Sequence, residues 1–530
     1  MDHPVIPAPV RFDGGRGRFA LRPGTKISCA ATDVEPVVGR FCSETTRRTG
    51  LRLAPVTGDP VPDEPSIRIE LANGDELAAL PAPLGVSPAG DGPADERYSL
   101  AIGADQVVVR AAAPAGAARG LTTLIQLIAA VPATSAGEIS VPGARILDAP
   151  RYAWRGLSLD LARAFFTLGE VRRVIDLLAL YKLNVLHLHL TDDQSWRLPA
   201  PRPAGRPEAG GVFYSAGDLR AVAAYAAERF VTIVPEVDSP GHASALVQMY
   251  PELNTGRNEV EFELPPGHRH QAVWLDPGLP ATFELIEQVL AGVARIFPGP
   301  YVHIGGDEPY GMPRDLYASY VRRVRDLVRS LGRRPLGWQE SARAGLGPAD
   351  MIQYWFSGIA LPASAHPEVR AQVDADLADS RRDVETAAAA SVPVIVSPLS
   401  HCYLDVPYAE PSADPAQADR RDRLGLRFYS PRTVAESFGW EPAEALGPGR
   451  AAEVAGVEAA IWAETITGFG DLCFLLLPRL AGVAHKAWSA PPPAGQPDGW
   501  PAHRDRLARH GRIWAAEGLP YFRSSAVDWA

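Results

Sequence analysis

The chain has 530 residues, a formal net charge of -10, 46% hydrophobic residues and 22% charged residues. This length predicts more than one domain, and the composition is that of a soluble globular protein. The acidic balance argues against a nucleic-acid partner, and no apolar run is long enough to cross a membrane. The first seven residues lack the basic and apolar parts of a signal peptide, which predicts a cytoplasmic protein, or a secreted one if a signal has been removed.

Four cysteines are widely spaced along the chain, at Cys29, Cys42, Cys402 and Cys473. No CxxC pair occurs, so a zinc knuckle is not expected. Cys29 and Cys42 could form a disulfide, and their spacing leaves that question open.

The first 150 residues have the pattern of a small α+β domain. Residues 66–71 alternate between apolar and polar types, as a half-buried strand does. Residues 98–102 and 107–110 predict a hairpin, and residues 117–130 predict a helix with one apolar face. Strands followed by a helix indicate an α+β unit that ends near residue 150.

From residue 151 the pattern changes to strand, loop and helix, repeated. The predicted strands cover residues 155–161, 184–190, 230–237, 301–305, 335–338, 351–355, 392–397 and 456–462. Eight strands interleaved with helices predict a (β/α)₈ TIM barrel over residues 151–490. A doubly wound sheet is the alternative, but no GxGxxG follows the first strand. Residues 403–450 predict a long loop over the barrel mouth, and residues 491–530 predict a helical C-terminal extension that packs on the barrel.

Polar or aromatic residues lie at or just beyond the end of every predicted barrel strand. They are Asp160 and Arg163, Asp192 and Asp193, Glu236, Asp238 and His242, Asp307 and Glu308, Trp338 and Glu340, Trp355, Tyr403 and Asp405, and Trp462 and Glu464. The C-terminal ends of barrel strands open on one face, and that face holds the active site. A single Asp-Glu pair is usually a solvated surface feature, but eight clusters in register indicate a functional site.

Asp307 and Glu308 are the candidate catalytic pair. Gly305 and Gly306 precede them, and glycine accepts backbone conformations that can turn both carboxylates toward one pocket. Burial or mutual repulsion can keep one carboxyl protonated while the other is ionised, which suits acid–base chemistry. Four aromatic residues at strand ends are typical of a sugar pocket, although a single tryptophan usually packs in a core.

His187 and His189 form an HxH pair on the second barrel strand. Alternate residues share a strand face, so the pair could bind a metal. It lies in mid-strand and not at the mouth, which favours packing in the barrel interior. His303, on the fourth strand, has the same interpretation.

The motifs together resemble family 20 glycoside hydrolases, the β-N-acetylhexosaminidases. They are RGL at 155–157, LHLHLTDDQ at 186–194, PEVDSPGH at 235–242, HIGGDE at 303–308, GW at 337–338, QYW at 353–355, YLD at 403–405 and WAET at 462–465. The likeness runs from about residue 10 to the end of the chain. It includes the small N-terminal domain typical of the family.

This resemblance implies substrate-assisted catalysis, in which the substrate's 2-acetamido oxygen attacks the anomeric carbon and forms an oxazolinium intermediate. Glu308 would be general acid and then base, and Asp307 would orient the acetamido group. Tyr403 would bind the acetamido oxygen. Asp192 and His242 would form a relay that tunes Glu308.

The resemblance also implies the substrate-binding residues and the partners. Trp338, Trp355 and Trp462 would wall the acetamido pocket. Arg163, Asp405 and Glu464 would bind the 3-, 4- and 6-hydroxyls and make the enzyme exo-acting on oligosaccharides or glycoconjugates that end in N-acetylhexosamine. No metal or organic cofactor is expected, and the protein would be a monomer or a homodimer.

Two departures from the family pattern leave the substrate preference open. Ala164 follows Arg163 where the family often has His, and the loop near residues 405–423 is longer or more acidic than expected. The sequence does not rank GlcNAc against GalNAc. A disaccharide-releasing hydrolase, a non-catalytic sugar-binding barrel and a metal-dependent amidohydrolase are the alternatives.

Overall fold

The structure is a computed structural model that describes most of the chain. The described residues are 3–29, 31–57, 64–72, 74–90, 94–132, 134, 137–199, 201, 212–263, 269–359, 367–491 and 499–529. Most of the Pro-rich stretch between residues 491 and 500 lies outside these ranges.

The N-terminal part is a seven-stranded mixed sheet with helices. Its strands are β1 (Arg11–Leu21), β2 (Lys26–Cys29), β3 (Ala54–Thr57), β4 (Ser66–Leu71), β5 (Tyr98–Ile102), β6 (Gln106–Ala111) and β7 (Ile139–Asp148), and its helices are α1 (Glu35–Thr49), α2 (Asp75–Ala78) and α3 (Pro114–Ala129). The strand order is β1-β7-β5-β6-β4-β2-β3. β5 and β6 pair antiparallel as the predicted hairpin, whereas β4 pairs parallel to both β6 and β2. The predicted α+β fold is therefore confirmed.

The sequence did not reveal β1 or α1. β1 contains several glycines and has a register irregularity between Gly14 and Arg18, where it pairs with β7. Glycine interruptions remove the two-residue alternation that identifies a strand.

Eight parallel strands close into a barrel. They are β8 (Trp154–Asp160), β9 (Val185–His189), β10 (Thr232–Glu236), β13 (Tyr301–His303), β14 (Arg334–Trp338), β15 (Met351–Tyr354), β16 (Val394–Val396) and β17 (Val454–Ile461), with a separate hairpin of β11 (Glu259–Glu263) and β12 (Arg269–Val273). β17 pairs with β8 and completes the ring. This closure confirms the predicted (β/α)₈ barrel and excludes the doubly wound sheet.

Helices connect the strands and continue to the C-terminal region. They are α4 (Leu168–Leu180), α5 (Ala216–Ala227), α6 (Ser244–Met249), α7 (Pro280–Ile296), α8 (Arg314–Ser330), α9 (Pro367–Ala389), α10 (Leu399–Cys402), α11 (Ala418–Arg423), α12 (Val434–Phe438), α13 (Phe469–Leu476), α14 (Arg479–Trp488) and α15 (Trp500–Ala516). The Thr167–Glu170 capping box begins α4 with both of its reciprocal hydrogen bonds. The prediction of one long loop over residues 403–450 was wrong in part, because α11 and α12 lie within it. A second capping box, Thr433 with Glu436, begins α12.

The N-terminal domain packs against the ends of the barrel strands opposite the mouth. Lys182, just before β9, is fully buried, and its Nζ lies 2.8 Å from Asp148 Oδ2 and 2.9 Å from the Tyr98 hydroxyl. Arg155, near the start of β8, donates two 2.8 Å hydrogen bonds to the Glu96 carboxylate. These buried ion pairs join the two units and leave the C-terminal ends of the strands open.

Helix α15 contacts both the barrel and the N-terminal segment. The Tyr181 hydroxyl lies 2.9 Å from His510 Nδ1, and His510 Nε2 donates to the Pro4 carbonyl at 2.7 Å. The four cysteines are unpaired, so Cys29 and Cys42 do not form the disulfide that the sequence left open. Among the helices that the structure describes, none is long and apolar enough to cross a membrane.

Candidate active site

A left-handed turn after β13 directs the candidate catalytic pair into the barrel mouth. Gly305 and Gly306 have φ angles of 68° and 97°, and Glu308 has a φ of 44°. A Cβ atom on Gly305 would lie 1.7 Å from Asp238 Oδ1, so no other residue fits there. The Tyr317 hydroxyl donates to the Gly306 carbonyl at 2.7 Å and holds the turn from the other side.

Asp307 and Glu308 occupy different environments on either side of His242. His242 Nε2 lies 3.7 Å from Asp307 Oδ2 and 3.6 Å from Glu308 Oε2. The Asp307 side chain is 12% exposed, whereas that of Glu308 is 34% exposed. Burial, together with the neighbouring Asp238 carboxylate, raises the pKa of Asp307 well above its usual range. Asp307 Oδ1 is buried and has no hydrogen-bond partner among the described residues, so it is an acceptor available to a ligand.

The residues of the predicted relay lie close together. His242 Nδ1 lies 3.2 Å from Asp192 Oδ1 and 3.4 Å from Asp193 Oδ2. Burial would lower the pKa of His242, but the carboxylates of Asp192 and Asp238 outweigh it and raise that pKa well above the ordinary value. His242 is therefore an imidazolium that faces both members of the catalytic pair. Asp193, which the sequence analysis placed at a strand end without a role, is an additional contact of this ring.

An aromatic wall lines one side of the mouth. The rings of Trp355 and Tyr403 stack with centroids 6.1 Å apart and planes 11° apart. Trp462 lies 6.0 Å from Tyr403 and 6.0 Å from Trp338. Trp338 Nε1 donates to Glu236 Oε1 at 2.8 Å, and Trp355 Nε1 lies 3.1 Å from Glu340 Oε2. These indole hydrogen bonds fix the planes of the wall.

Arg163, Asp405 and Glu464 form a polar group beside this wall. Arg163 donates to Asp192 Oδ2 at 2.8 Å, and its Nε lies 3.9 Å from Glu464 Oε1. The Arg163 guanidinium also lies over the Trp462 ring, 5.3 Å from its centroid. Asp405 Oδ1 accepts the Trp462 backbone N–H at 3.3 Å, while its Oδ2 has no partner within the described part of the chain. Burial and then the Glu464 carboxylate raise the pKa of Asp405 well above its usual range.

The structure thus joins all eleven predicted site residues in one connected group at the C-terminal ends of the strands. It also adds two tyrosines that the sequence analysis missed. Tyr429 is 6% exposed, and its ring meets that of Tyr403 edge-on at 6.3 Å. Burial and a hydrogen bond with the Glu308 carboxylate raise the pKa of Tyr310 well above its usual value. Both lie in loops, where no periodic pattern marks a residue that turns inward.

Several His and carboxylate groups at the site are close enough to hold a metal ion. Their donor atoms lie within 4.8 Å of one another in the sets His187, Glu236 and His303; His189, Asp192 and Asp238; Asp192, Asp193 and His242; and Asp238, His242 and Asp307. The histidines and carboxylates contact each other directly, so their mutual attraction accounts for the clustering, and we assign none of them as a metal ligand. His187 and His189 are buried in the barrel interior, as their mid-strand position predicted. The expectation of a metal-free enzyme stays a prediction.

A closed (β/α)₈ barrel with paired carboxylates and an aromatic wall at its mouth defines a sugar-hydrolysing enzyme. The family model described as glycosyl hydrolase family 20, catalytic domain, matches residues 152–312 and 312–491. The model for domain 2 of the same family matches residues 2–149. The chain belongs to glycosyl hydrolase family 20.

Known relatives agree in sequence and in fold. A β-N-acetylhexosaminidase of Cellulomonas fimi is 38% identical over 445 residues, which cover 82% of this chain and 82% of the relative. The solved GH20 β-N-acetylhexosaminidase from Streptomyces coelicolor A3(2) superposes with a TM-score of 0.80 at 33% identity, over 99% of both chains. A mutant Streptomyces plicatus β-hexosaminidase in complex with the product GlcNAc has a TM-score of 0.80 at 32% identity, over 99% of this chain and 98% of that one.

Proposed function

We propose that the chain is an exo-acting, retaining β-N-acetylhexosaminidase that removes terminal, non-reducing β-linked GlcNAc or GalNAc. The observation that carries this function is the left-handed turn that places Asp307 inside the pocket and Glu308 at its edge, with His242 between them. The named activities of the relatives in Cellulomonas and Streptomyces support it.

The different environments of the two carboxylates suit different roles. Glu308 is exposed enough to reach the leaving-group oxygen, so it protonates that oxygen and then deprotonates the attacking water. Asp307 Oδ1 is a buried acceptor that takes the acetamido N–H, while the acetamido oxygen attacks the anomeric carbon. The N–H bond and the positive charge that develops on the oxazolinium both favour the ionised form of Asp307. The Tyr403 hydroxyl donates to the acetamido oxygen and orients it.

The polar group of Arg163, Asp405 and Glu464 binds the hydroxyls of the terminal sugar. A guanidinium and carboxylates recognise hydroxyls as donor and acceptors, and the burial of Asp405 makes an unmade hydrogen bond costly. Arg163 Nε lies only 3.9 Å from Glu464 Oε1, so both groups can bind the same terminal sugar, which supports the removal of one sugar at a time over release of a disaccharide. The preference between GlcNAc and GalNAc, the oligomeric state, the cellular location and the domain boundaries stay predictions.

The test compares Glu308→Gln with the parent enzyme on two substrates. On a natural disaccharide, we expect kcat/KM to fall by about 10²- to 10⁴-fold, because the leaving group needs a proton from Glu308. On an aryl N-acetyl-β-glucosaminide the loss should be much smaller, because a phenolate leaves with little protonation. Glu340→Gln is the control, since it also replaces a carboxyl group by an amide at the mouth but should affect both substrates equally. Equal losses on both substrates for Glu308→Gln would contradict the acid role.

A further inference from the structure

A continuous chain of buried side chains connects the barrel interior to the relay. Glu236, at the end of β10, is fully buried, and its Oε2 lies 2.5 Å from His189 Nδ1. The other ring nitrogen of His189 lies 2.7 Å from Asp192 Oδ2. Asp192 Oδ1 in turn faces His242, which faces Glu308. Glu236 therefore reaches the catalytic acid through three intervening side chains.

The His189 ring is held between two carboxylates. Because each nitrogen faces an acceptor that cannot donate, both nitrogens carry protons. Burial would lower the pKa of His189, but the charges of Glu236 and Asp192 and their hydrogen bonds raise it well above the ordinary value. Asp192 therefore contacts two positive charges, the His189 ring and the Arg163 guanidinium.

The second oxygen of Glu236 supports the substrate pocket. Glu236 Oε1 accepts the indole N–H of Trp338 at 2.8 Å and lies 3.0 Å from His303 Nδ1. Trp338 is 1% exposed and packs between the rings of His303 and Trp462. One carboxylate therefore contacts both His189, which contacts the relay, and Trp338 of the wall.

We propose that Glu236 is a positioning residue that sets the Asp192–His242 relay through a charged His189 and fixes the acetamido pocket through Trp338. This proposal rests on the proposed function, because it assigns Glu236 to the same reaction. Glu236 itself does not touch the substrate.

The burial of so many charges favours a functional role over a merely structural one. A buried carboxylate and its partners are often no more stabilising than apolar residues of the same size, because desolvation offsets their attraction. The titratable groups that face Glu236 and His189 are His187, His303, Asp192, Asp238 and, through His187, Glu458. Such a network is, however, effective at holding side chains in one geometry and one protonation state.

Glu236→Gln is the informative substitution, and Glu458→Gln is its matched control. The Gln amide oxygen can still accept from Trp338, but the amide N–H₂ would face His189 Nδ1 and force that nitrogen to become an acceptor. His189 would then be neutral. Glu458 is equally buried and binds Trp154, His187 and Gln353, yet it contacts neither His189 nor Trp338.

We expect Glu236→Gln to lower kcat by about 10- to 100-fold, the usual effect of a small misplacement of catalytic groups. Glu236→Gln removes the Glu236 charge and the His189 charge together, but only His189 contacts the relay directly. The alkaline limb of the kcat/KM profile should therefore move to higher pH by about 0.5 unit, because the nearer positive charge no longer favours ionised carboxylates. Glu458→Gln should keep the pH profile and lose less than about threefold in kcat, a change within about 0.7 kcal/mol of barrier. The proposal would be overturned if Glu236→Gln and Glu458→Gln had the same kcat and the same pH for the alkaline limb of kcat/KM.

Nitrogen NMR of the histidine rings separates this proposal from the proposed function. In the parent protein the His189 ring should carry two protons at pH 7, and in Glu236→Gln only one, whatever sugar is hydrolysed. A neutral His189 in the parent would refute the proposal even if the enzyme were active, while an inactive parent with a charged His189 would refute only the function. If Glu236→Gln did not fold, His189→Gln would break the same connection. It should give the same kcat loss and a limb shift in the same direction that is at least as large, because Glu236 keeps its negative charge.

Discussion

Gly305 determines the direction in which Asp307 and Glu308 leave the barrel. Its φ of 68° is in the left-handed region, and a Cβ there would meet Asp238 Oδ1 at 1.7 Å and Asp238 Cα at 2.6 Å. The second contact is to backbone, so a rotated side chain cannot relieve it. We therefore predict that Gly305→Ala displaces the turn and damages both stability and activity.

The size of the effect follows from three separate contributions. The left-handed φ costs an alanine about 1 kcal/mol. The overlap with Asp238 costs about 1 to 3 kcal/mol, as overpacking of a well-packed interior does. Asp238 Oδ1 also accepts the Gly306 N–H at 3.2 Å, and the loss of this bond costs about 1 kcal/mol. The free energy of unfolding should fall by about 3 to 5 kcal/mol, and kcat/KM by about 100-fold or more because Asp307 moves with the turn.

Gly332→Ala is the matched control for Gly305→Ala. Gly332 also has a positive φ, of 71°, but nothing lies within 4 Å of its added Cβ. The free energy of unfolding of Gly332→Ala should fall by only about 1 kcal/mol, and its kcat/KM should not change. Urea unfolding followed by tryptophan fluorescence, with kinetics on an aryl substrate, measures both quantities. If Gly305→Ala behaved like Gly332→Ala, the close approach of Asp238 would not be what requires glycine.

Two further predictions concern the contacts that hold the units together. Lys182→Met should reduce the free energy of unfolding by about 3 kcal/mol, because it leaves the buried Asp148 without its cation. Lys26→Met, which breaks the more exposed pair of Lys26 with Glu64, should reduce it by less than about 1 kcal/mol. Equal losses for the two variants in urea unfolding would argue against a contribution from the buried pair. Burial lowers the pKa of His510 to about 4, so the unfolded chain binds a proton that the folded chain does not, and this residue alone should contribute about 3 kcal/mol to the loss of stability as the pH drops from 6.5 to 4. His510→Gln should make that part of the stability curve less steep by this amount, and an unchanged slope would contradict the neutral state of His510.

Local patterns were sufficient to predict the elements that surround the site. The capping box at Thr167 and the apolar runs of the barrel strands depend on residues within a few positions of each other, so a single sequence reveals them. The pair Gly305-Gly306 before two carboxylates predicted the turn for the same reason. Strand β1 was missed because its glycines interrupt the alternation, and α11 and α12 were missed because the short helices lie in a polar, Pro-rich segment.

The family resemblance, the barrel and the identity of the residues at the strand ends could all be predicted from the sequence. The contacts between these residues could not be predicted without the folded barrel. Trp338 and Glu236 are 102 positions apart, and His187 and Glu458 are 271 positions apart, yet each pair is hydrogen-bonded in the barrel interior. Such contacts depend on how eight strands close and on the register in which they pair, which no local period encodes. The same closure places His242 between Asp307 and Glu308 and buries one carboxylate more than the other, which makes them different groups.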